Sequence, residues 1–166
     1  VGYGKTGQAV AKSVSESEEV SLQWICRRTS APAPASLEAI PIFSIYQDRD
    51  LAKYLKKASV DCIIDFSAPD ALRLYGPIAA AEGISIISAN SAHTADEIQF
   101  AKSLGKKTQV MCAPNITFGI NFLLLAATAL HRLAPQVDVA IVEEHFREKT
   151  EISGTAKRIA SVLGVD

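Results

Sequence analysis

The sequence predicts an α/β fold, with helices on both faces of an open, doubly wound parallel sheet and the beginning of a second α+β domain. Three observations carry that expectation. Short runs rich in apolar and β-branched residues alternate with longer helical stretches along most of the chain. These short runs are apolar on both faces, as strands buried between two helical layers must be. A glycine-rich turn from Gly2 to Gly7 leads directly into the first helical stretch. With 166 residues, 48% hydrophobic and 21% charged, the chain suits one domain, or one plus a fragment of a second, and is too apolar to stay disordered.

The elements follow in order. Residues 5–15 have helical spacing, and residues 21–26 read as a strand with Leu22, Trp24 and Cys26 on one core-facing side. Residues 29–36 contain Pro32 and Pro34 and read as an exposed loop. Helices are then expected at 49–57, 69–81, 94–104 and 120–134, and strands at 60–66, 84–88, 109–112 and 137–142. Phe118, Phe122 and Leu125 form an apolar stripe with helical spacing, expected to face the core. Ser153-Gly154-Thr155 opens a last helix. A turn like Gly2–Gly7 normally follows a buried strand, and a lone Val1 cannot form one, so the first strand is expected to be missing from this sequence.

Composition narrows the ligand class. A net charge of −1 leaves no electrostatic footprint for nucleic acid, so a small molecule is the default partner. The longest apolar run, residues 122–130, is interrupted by Thr128 and falls well short of the roughly 18 residues a membrane span needs. Polar Gly2–Gly7 occupies the place of a signal peptide's apolar segment. Cys26, Cys62 and Cys112 are odd in number and lack metal-ligand spacing. They are expected to be buried, reduced thiols, with no disulfide or metal site, in a cytoplasmic protein.

Gly2-Tyr3-Gly4-Lys5-Thr6-Gly7 is a complete GxGxxG, the dinucleotide fingerprint of a Rossmann-type sheet. Its first glycine permits the tight turn, the second lets backbone approach a pyrophosphate, and the third lets the helix pack closely. The helix from Lys5 then points free N–H groups and a positive dipole end at the phosphates, with Lys5 and Thr6 beside them. A purely structural turn is the alternative. The next strand ends in Ile25-Cys26-Arg27-Arg28, without the carboxylate that would grip an NAD ribose. Arg27 and Arg28 favour a 2′-phosphate, hence NADPH; a solvated basic turn is the competing reading and NADH stays possible.

Past residue 142 the chain reads Glu143-Glu144-His145-Phe146-Arg147-Glu148-Lys149, then Ser153-Gly154-Thr155-Ala156. His145 and Lys149 suit a proton donor with a polarising partner, and a Ser-Gly-Thr helix entry suits a carboxylate. A polar connector with an N-cap would look the same. His93 is expected to be solvent-exposed beside the cap of its helix, and His131 to be structural near a helix C-terminus.

Four motifs in this order resemble the dihydrodipicolinate reductase (4-hydroxy-tetrahydrodipicolinate reductase) family of lysine and diaminopimelate biosynthesis. They are Gly4-Lys5-Thr6-Gly7, Asp65-Phe66-Ser67-Ala68-Pro69, Asn115-Ile116-Thr117-Phe118-Gly119-Ile120-Asn121, and His145 to Lys149 followed by Ser153-Gly154-Thr155-Ala156. The resemblance implies a dinucleotide-binding domain over residues 1–114 and, from 115 to 166, the start of a truncated substrate-binding and oligomerisation domain. It implies hydride transfer from NAD(P)H to a cyclic dicarboxylate, with Lys149 protonating the carbanion-like carbon and His145 binding and polarising the substrate. Gly154 and Thr155, with Ser153 and Arg147, would hold a carboxylate. Phe66, Ser67, Ser88, Ala89, Asn90, Ala113, Asn115 and Ile116 would line the nicotinamide. A homo-oligomer, a tetramer in the family, is implied as well. Phe146 stands where the family has a second histidine, and Ser88-Ala89-Asn90 where it has Gly-Thr-Thr. Another imino-acid reductase and a nucleotide-binding protein without catalysis are the rival functions.

Overall fold

Strands with two apolar faces pair in parallel when helices cover both sides, and the amino-terminal part of the chain does so. The computed structural model describes residues 1–28, 37, 39–44, 51–57, 59–90, 93–144 and 154–165. They fall into two compact units, Val1–Ala113 and Pro114–Asp166. In the first, helix α1 (Lys5–Ser15) leads to β1 (Ile25–Arg27), which pairs in parallel with β2 (Ile42–Ser44). Helix α2 (Leu51–Lys57) precedes a second parallel sheet of β3 (Cys62–Asp65), β4 (Ser85–Ser88) and β5 (Val110–Cys112), side by side in chain order. Helices α3 (Ala71–Ala81) and α4 (Ala95–Leu104) are its crossovers.

Val1 and Gly2 join the two sheets. The Phe66 N–H donates to the Val1 carbonyl at 2.8 Å, and the Val1 amino group donates to the Ile64 carbonyl at 2.6 Å. On the other side, the Gly2 N–H donates to the Cys26 carbonyl at 2.8 Å. Too short to be a strand, this pair of residues still makes a strand's hydrogen bonds to both neighbours. Beside it, an apolar cavity of about 330 Å³ runs between the approaches to β1 and β3, lined by Val14, Leu22, Trp24, Val60, Cys62 and Ile64.

The core lies against the sheets. Leu72, Tyr75 and Ala79 repeat at helical spacing on α3 and are completely buried against Ile63 and Ile86 of the second sheet. Phe43 of β2 packs on Trp24 at 5.1 Å between ring centroids and stacks on Tyr54 at 4.2 Å. Helix α4 starts where its sequence says it should: Thr94 caps it in a reciprocal capping box with Glu97.

Several expectations are corrected. Residues 137–142 form no strand, since no described segment pairs with them, and Val142 stands 92% exposed. Alternating apolar residues make a strand only where a neighbour supplies the other half of the ladder. Strand β2 was not foreseen, because three residues after Pro41 are too short to show a period. Its length in turn limits β1 to Ile25–Arg27, three residues against the six expected. Trp24 and Cys26 do share a core cluster, but Leu22 packs with Ala11, Ile25 and Leu37, since residues 21–24 lack strand alternation. In the second unit, α5 (Phe118–Leu133) buries no residue, and Phe118, Phe122 and Leu125 are 62–85% exposed instead of forming core. Nothing among the described residues covers that stripe. Helix α6 (Gly154–Leu163) packs on α5. Among the described residues, no helix is long and apolar enough to cross a membrane.

All three cysteines are free, but only Cys26 is buried; Cys62 is exposed at the open edge of β3 and Cys112 is half-buried. Partial burial of the thiol, and secondarily the Asp61 carboxylate, push the Cys62 pKa up. Because only the thiolate attacks, labelling of native protein should start at Cys62 and accelerate roughly tenfold per pH unit until that raised pKa is passed. Cys26 should stay unlabelled until denaturant is added. Peptide mapping after timed alkylation reads both outcomes, and early labelling at Cys26 would contradict this packing.

Candidate functional site

The glycine turn is shaped by what its neighbours allow. Gly2 has φ +86°, and a Cβ there would lie 2.6 Å from the backbone of Phe66 and Ser67. A Cβ on Gly7 would collide with the Gly2 carbonyl oxygen, whereas one on Gly4 would meet nothing within 4 Å. The first and third glycines are therefore filled from the protein side, and the second faces open space. Gly4 is also the N-cap of α1, with no side-chain cap and no acidic residue in the first turn. Among the described residues the opening N–H groups of this helix have no side-chain cap, which suits an anion. Lys5 and Thr6 are exposed beside them. Arg27, at the end of β1, sets its guanidinium over the Tyr3 ring at 5.5 Å from the centroid. Arg28 is exposed, and its carbonyl accepts from Ser44 Oγ at 2.8 Å. Glycine turn and basic turn are thereby brought together.

A second cluster occupies the carboxyl ends of β3 and β4, where open α/β sheets receive ligands. Asp65 is completely buried. Its Oδ1 accepts from the Ser67 N–H at 2.8 Å and from the Ser67 hydroxyl, and its Oδ2 accepts from Tyr75 at 2.7 Å. Burial first, and then the Asp65 charge, push the Tyr75 pKa far above its ordinary value, so the phenol remains a donor. The Ala89 N–H donates to the Asp65 carbonyl, the Asn90 amide to the Ser67 carbonyl, and the Ala113 N–H to the Ser88 carbonyl, at 2.8, 2.9 and 2.8 Å. Phe66 and Ser67 are half-buried; Ser88 and Asn90 are buried, leaving Ala89 as the partly exposed member of its trio.

Sequence reasoning treated Asp65 as one letter of a motif and passed over Tyr75. The available signal was an acid ending the apolar run Cys62-Ile63-Ile64, since an uncompensated carboxylate would not be buried there. His93 corrects its expectation of solvent exposure: its side chain is 4% exposed, and Nε2 lies 2.8 Å from Ser88 Oγ. His131 also buries its Nδ1, with no partner among the described residues.

In the second unit, Asn115 Oδ1 accepts from Thr155 Oγ1 at 3.0 Å, joining residues forty apart in the chain. The Asn121 amide donates to the carbonyls of Asn115 and Thr117 at 2.8 and 3.0 Å, tying this entry segment to α5. Ile116 is half exposed, and Gly154 is exposed at the start of α6. His145, Arg147, Lys149 and Ser153 lie outside the described residues. Among the described residues, no three His, Cys, Asp or Glu side chains converge to hold a metal ion.

Comparison with known proteins gives one consistent answer. The family model described as dihydrodipicolinate reductase, N-terminus, matches residues 1–116. The 4-hydroxy-tetrahydrodipicolinate reductase of Pelobacter propionicus is 32% identical over 167 aligned positions, covering 96% of this chain and 61% of that protein. That of Myxococcus xanthus is 31% identical over 115 positions, covering 68% and 42%. The chain thus spans about half the length of the curated relatives it matches. Among solved structures, dipicolinate-bound dihydrodipicolinate reductase from Paenisporosarcina sp. TG-14 superposes with a TM-score of 0.72 at 21% identity, covering 96% of this chain and 62% of that one. That likeness shows the fold, which is the doubly wound α/β architecture expected.

The three glycines separate fold from binding. Gly4→Ala should leave the melting temperature within about 2 °C while weakening dinucleotide binding about tenfold or more, since the new methyl enters only the open space. Gly7→Ala should cost at least about 2 kcal/mol of stability, because its Cβ has nowhere to go. Thermal unfolding together with cofactor titration distinguishes them. Equal melting losses in both variants would refute the assignment.

Proposed function

The chain belongs to the dihydrodipicolinate reductase family, and on that premise we propose that it forms the cofactor-binding half and part of the substrate-binding half of an NAD(P)H-dependent reductase. The substrate class is a cyclic imino or enamine dicarboxylate of lysine and diaminopimelate biosynthesis. The single observation that carries the reading is the Gly2–Gly7 turn, where Gly4 alone opens outward at the uncapped start of α1. These residues fit a dinucleotide: backbone N–H groups take the pyrophosphate, and Lys5 and Thr6 flank it. The bound cofactor would supply a hydride.

This chain's own residues supply the rest. Arg27, held against Tyr3, and Arg28 offer guanidinium contacts to a 2′-phosphate, which favours NADPH over NADH. Phe66, Ser67, Ala89 and Asn90 form a floor suited to a planar ring, tied by the Asn90 amide to the Ser67 carbonyl and by the Ala89 N–H to the Asp65 carbonyl, with the buried Ser88 beside it. By the family resemblance we place Ala113, Asn115 and Ile116 with the same cofactor as part of this proposal. Lys149 is the proton donor to the carbanion-like carbon that hydride addition leaves, and His145 orients the substrate. Ser153, Gly154, Thr155 and Arg147 take a carboxylate, for which the exposed entry to α6 supplies N–H groups. A homo-oligomer, for which the family suggests a tetramer, is the assembly proposed for the whole protein. Three free thiols suit the reducing cytoplasm.

NADPH should bind about 10- to 100-fold more tightly than NADH, the value of one charge-assisted contact, and Arg27→Ala should erase most of that preference. Isothermal titration of both cofactors decides it, and equal wild-type affinities would overturn the 2′-phosphate assignment. Lys149→Ala should lower kcat by about 10²–10⁴ while leaving NADPH affinity unchanged. NADPH oxidation with and without the dicarboxylate measures this. Near-normal turnover in that variant would reassign the proton donor, and NADPH binding without any turnover would favour a non-catalytic nucleotide-binding protein.

A further inference from the structure

The His93 imidazole is buried between the end of β4 and the first turn of α4. Its Nε2 sits 2.8 Å from the hydroxyl of Ser88, the last residue of β4, and its Nδ1 lies 4.0 Å from Glu97 Oε2 in the first turn of α4. Both side chains are nearly enclosed, at 4% exposure for His93 and 13% for Glu97. Glu97 is held in turn, since Oε2 accepts from the Thr94 N–H at 2.7 Å and from Thr94 Oγ1 at 3.0 Å. A neutral ring carrying its proton on Nδ1 meets an acceptor on the Glu97 side and accepts from Ser88 on the other, so no donor faces a donor.

Packing alone does not account for this residue. Among the described residues Nδ1 has no hydrogen-bond partner, a cost that an apolar side chain of similar size would avoid. What the imidazole adds is a directional bond to Ser88, whose carbonyl also receives the Ala113 N–H. Ser88 is thereby held on its side chain and its backbone at the point where the chain leaves the sheet for Ala89 and Asn90. Backbone that carries a reacting ring must be held to about half an ångström.

We propose that His93 is a positioning residue for the Ser88–Asn90 floor, setting the seat of the nicotinamide end of the cofactor through Ser88 without touching the ligand. The inference rests on the assignment of that floor to the nicotinamide made above. The test titrates the full chain with NADPH and with 2′-phosphoadenosine 5′-diphosphoribose, the fragment that lacks only the nicotinamide. His93→Leu should weaken NADPH roughly three- to tenfold, the range for a lost hydrogen bond, and leave the fragment within about twofold. His93→Gln, whose amide can replace Nε2, should restore NADPH binding. Melting temperatures taken in parallel separate a general loss of stability, which would weaken both ligands together. If His93→Leu does not fold, Ser88→Ala removes the other partner and should give the same selective loss. Equal weakening of both ligands, unchanged binding, or no recovery in His93→Gln would overturn the inference while the function stands. Wild-type protein that binds neither compound would overturn the function, and this inference with it.

Discussion

A carboxylate with no exposed surface would cost several kcal/mol if left without donors, and Asp65 is such a group. Its compensation organises the centre of the first unit. The Ser67 N–H and hydroxyl bend the chain sharply after β3, and the Tyr75 phenol ties α3 to the same point. That bend sets the backbone of Phe66 and Ser67 against Gly2, so closely that only glycine fits. From Gly2 follow the direction of the turn and, through Gly7, the seat of α1. The Asp65 carbonyl and the Ser67 carbonyl then fix Ala89 and Asn90 at the end of the next strand. Turn, helix entry and strand-end floor thus share one buried anchor.

The first unit divides its recognition between backbone and side chain. The glycine turn offers peptide N–H groups and free space, which suit phosphate but carry little information about which dinucleotide is bound. Under the proposed function, discrimination would fall to Arg27 and Arg28, which follow in sequence where an acid would select the other cofactor. The Tyr3 ring beneath Arg27 limits the conformations that side chain loses on binding, a benefit of preorganisation. In the second unit, Thr155 and Asn115 are hydrogen-bonded to each other, so the entry of α5 and the start of α6 are one constellation even though forty residues separate them.

Much of this was legible in the residues in order. Periodicity located α1 to the residue and α3, α4 and α5 to within two, because each carries an apolar face and a recognisable start. The glycine turn itself was legible, with Gly2 and Gly7 where the backbone leaves no room for a Cβ, because it is one short contiguous segment. Pairing was not legible. Residues 137–142 have the pattern of a strand without a partner, and Ile42–Ser44 is a strand without a pattern.

The sequence by itself determined the helices, the parallel sheet and the family, because local propensity and contiguous motifs are properties of neighbouring residues. Tertiary structure alone decided that Asp65 is an anchor and that His93 faces inward to Ser88. It also decided that the apolar stripe of α5 is uncovered within the described residues. Those outcomes depend on which distant groups meet in space. Burial, the satisfaction of buried polar atoms and the filling of a helix face are settled between elements, where no one-dimensional pattern records the partner.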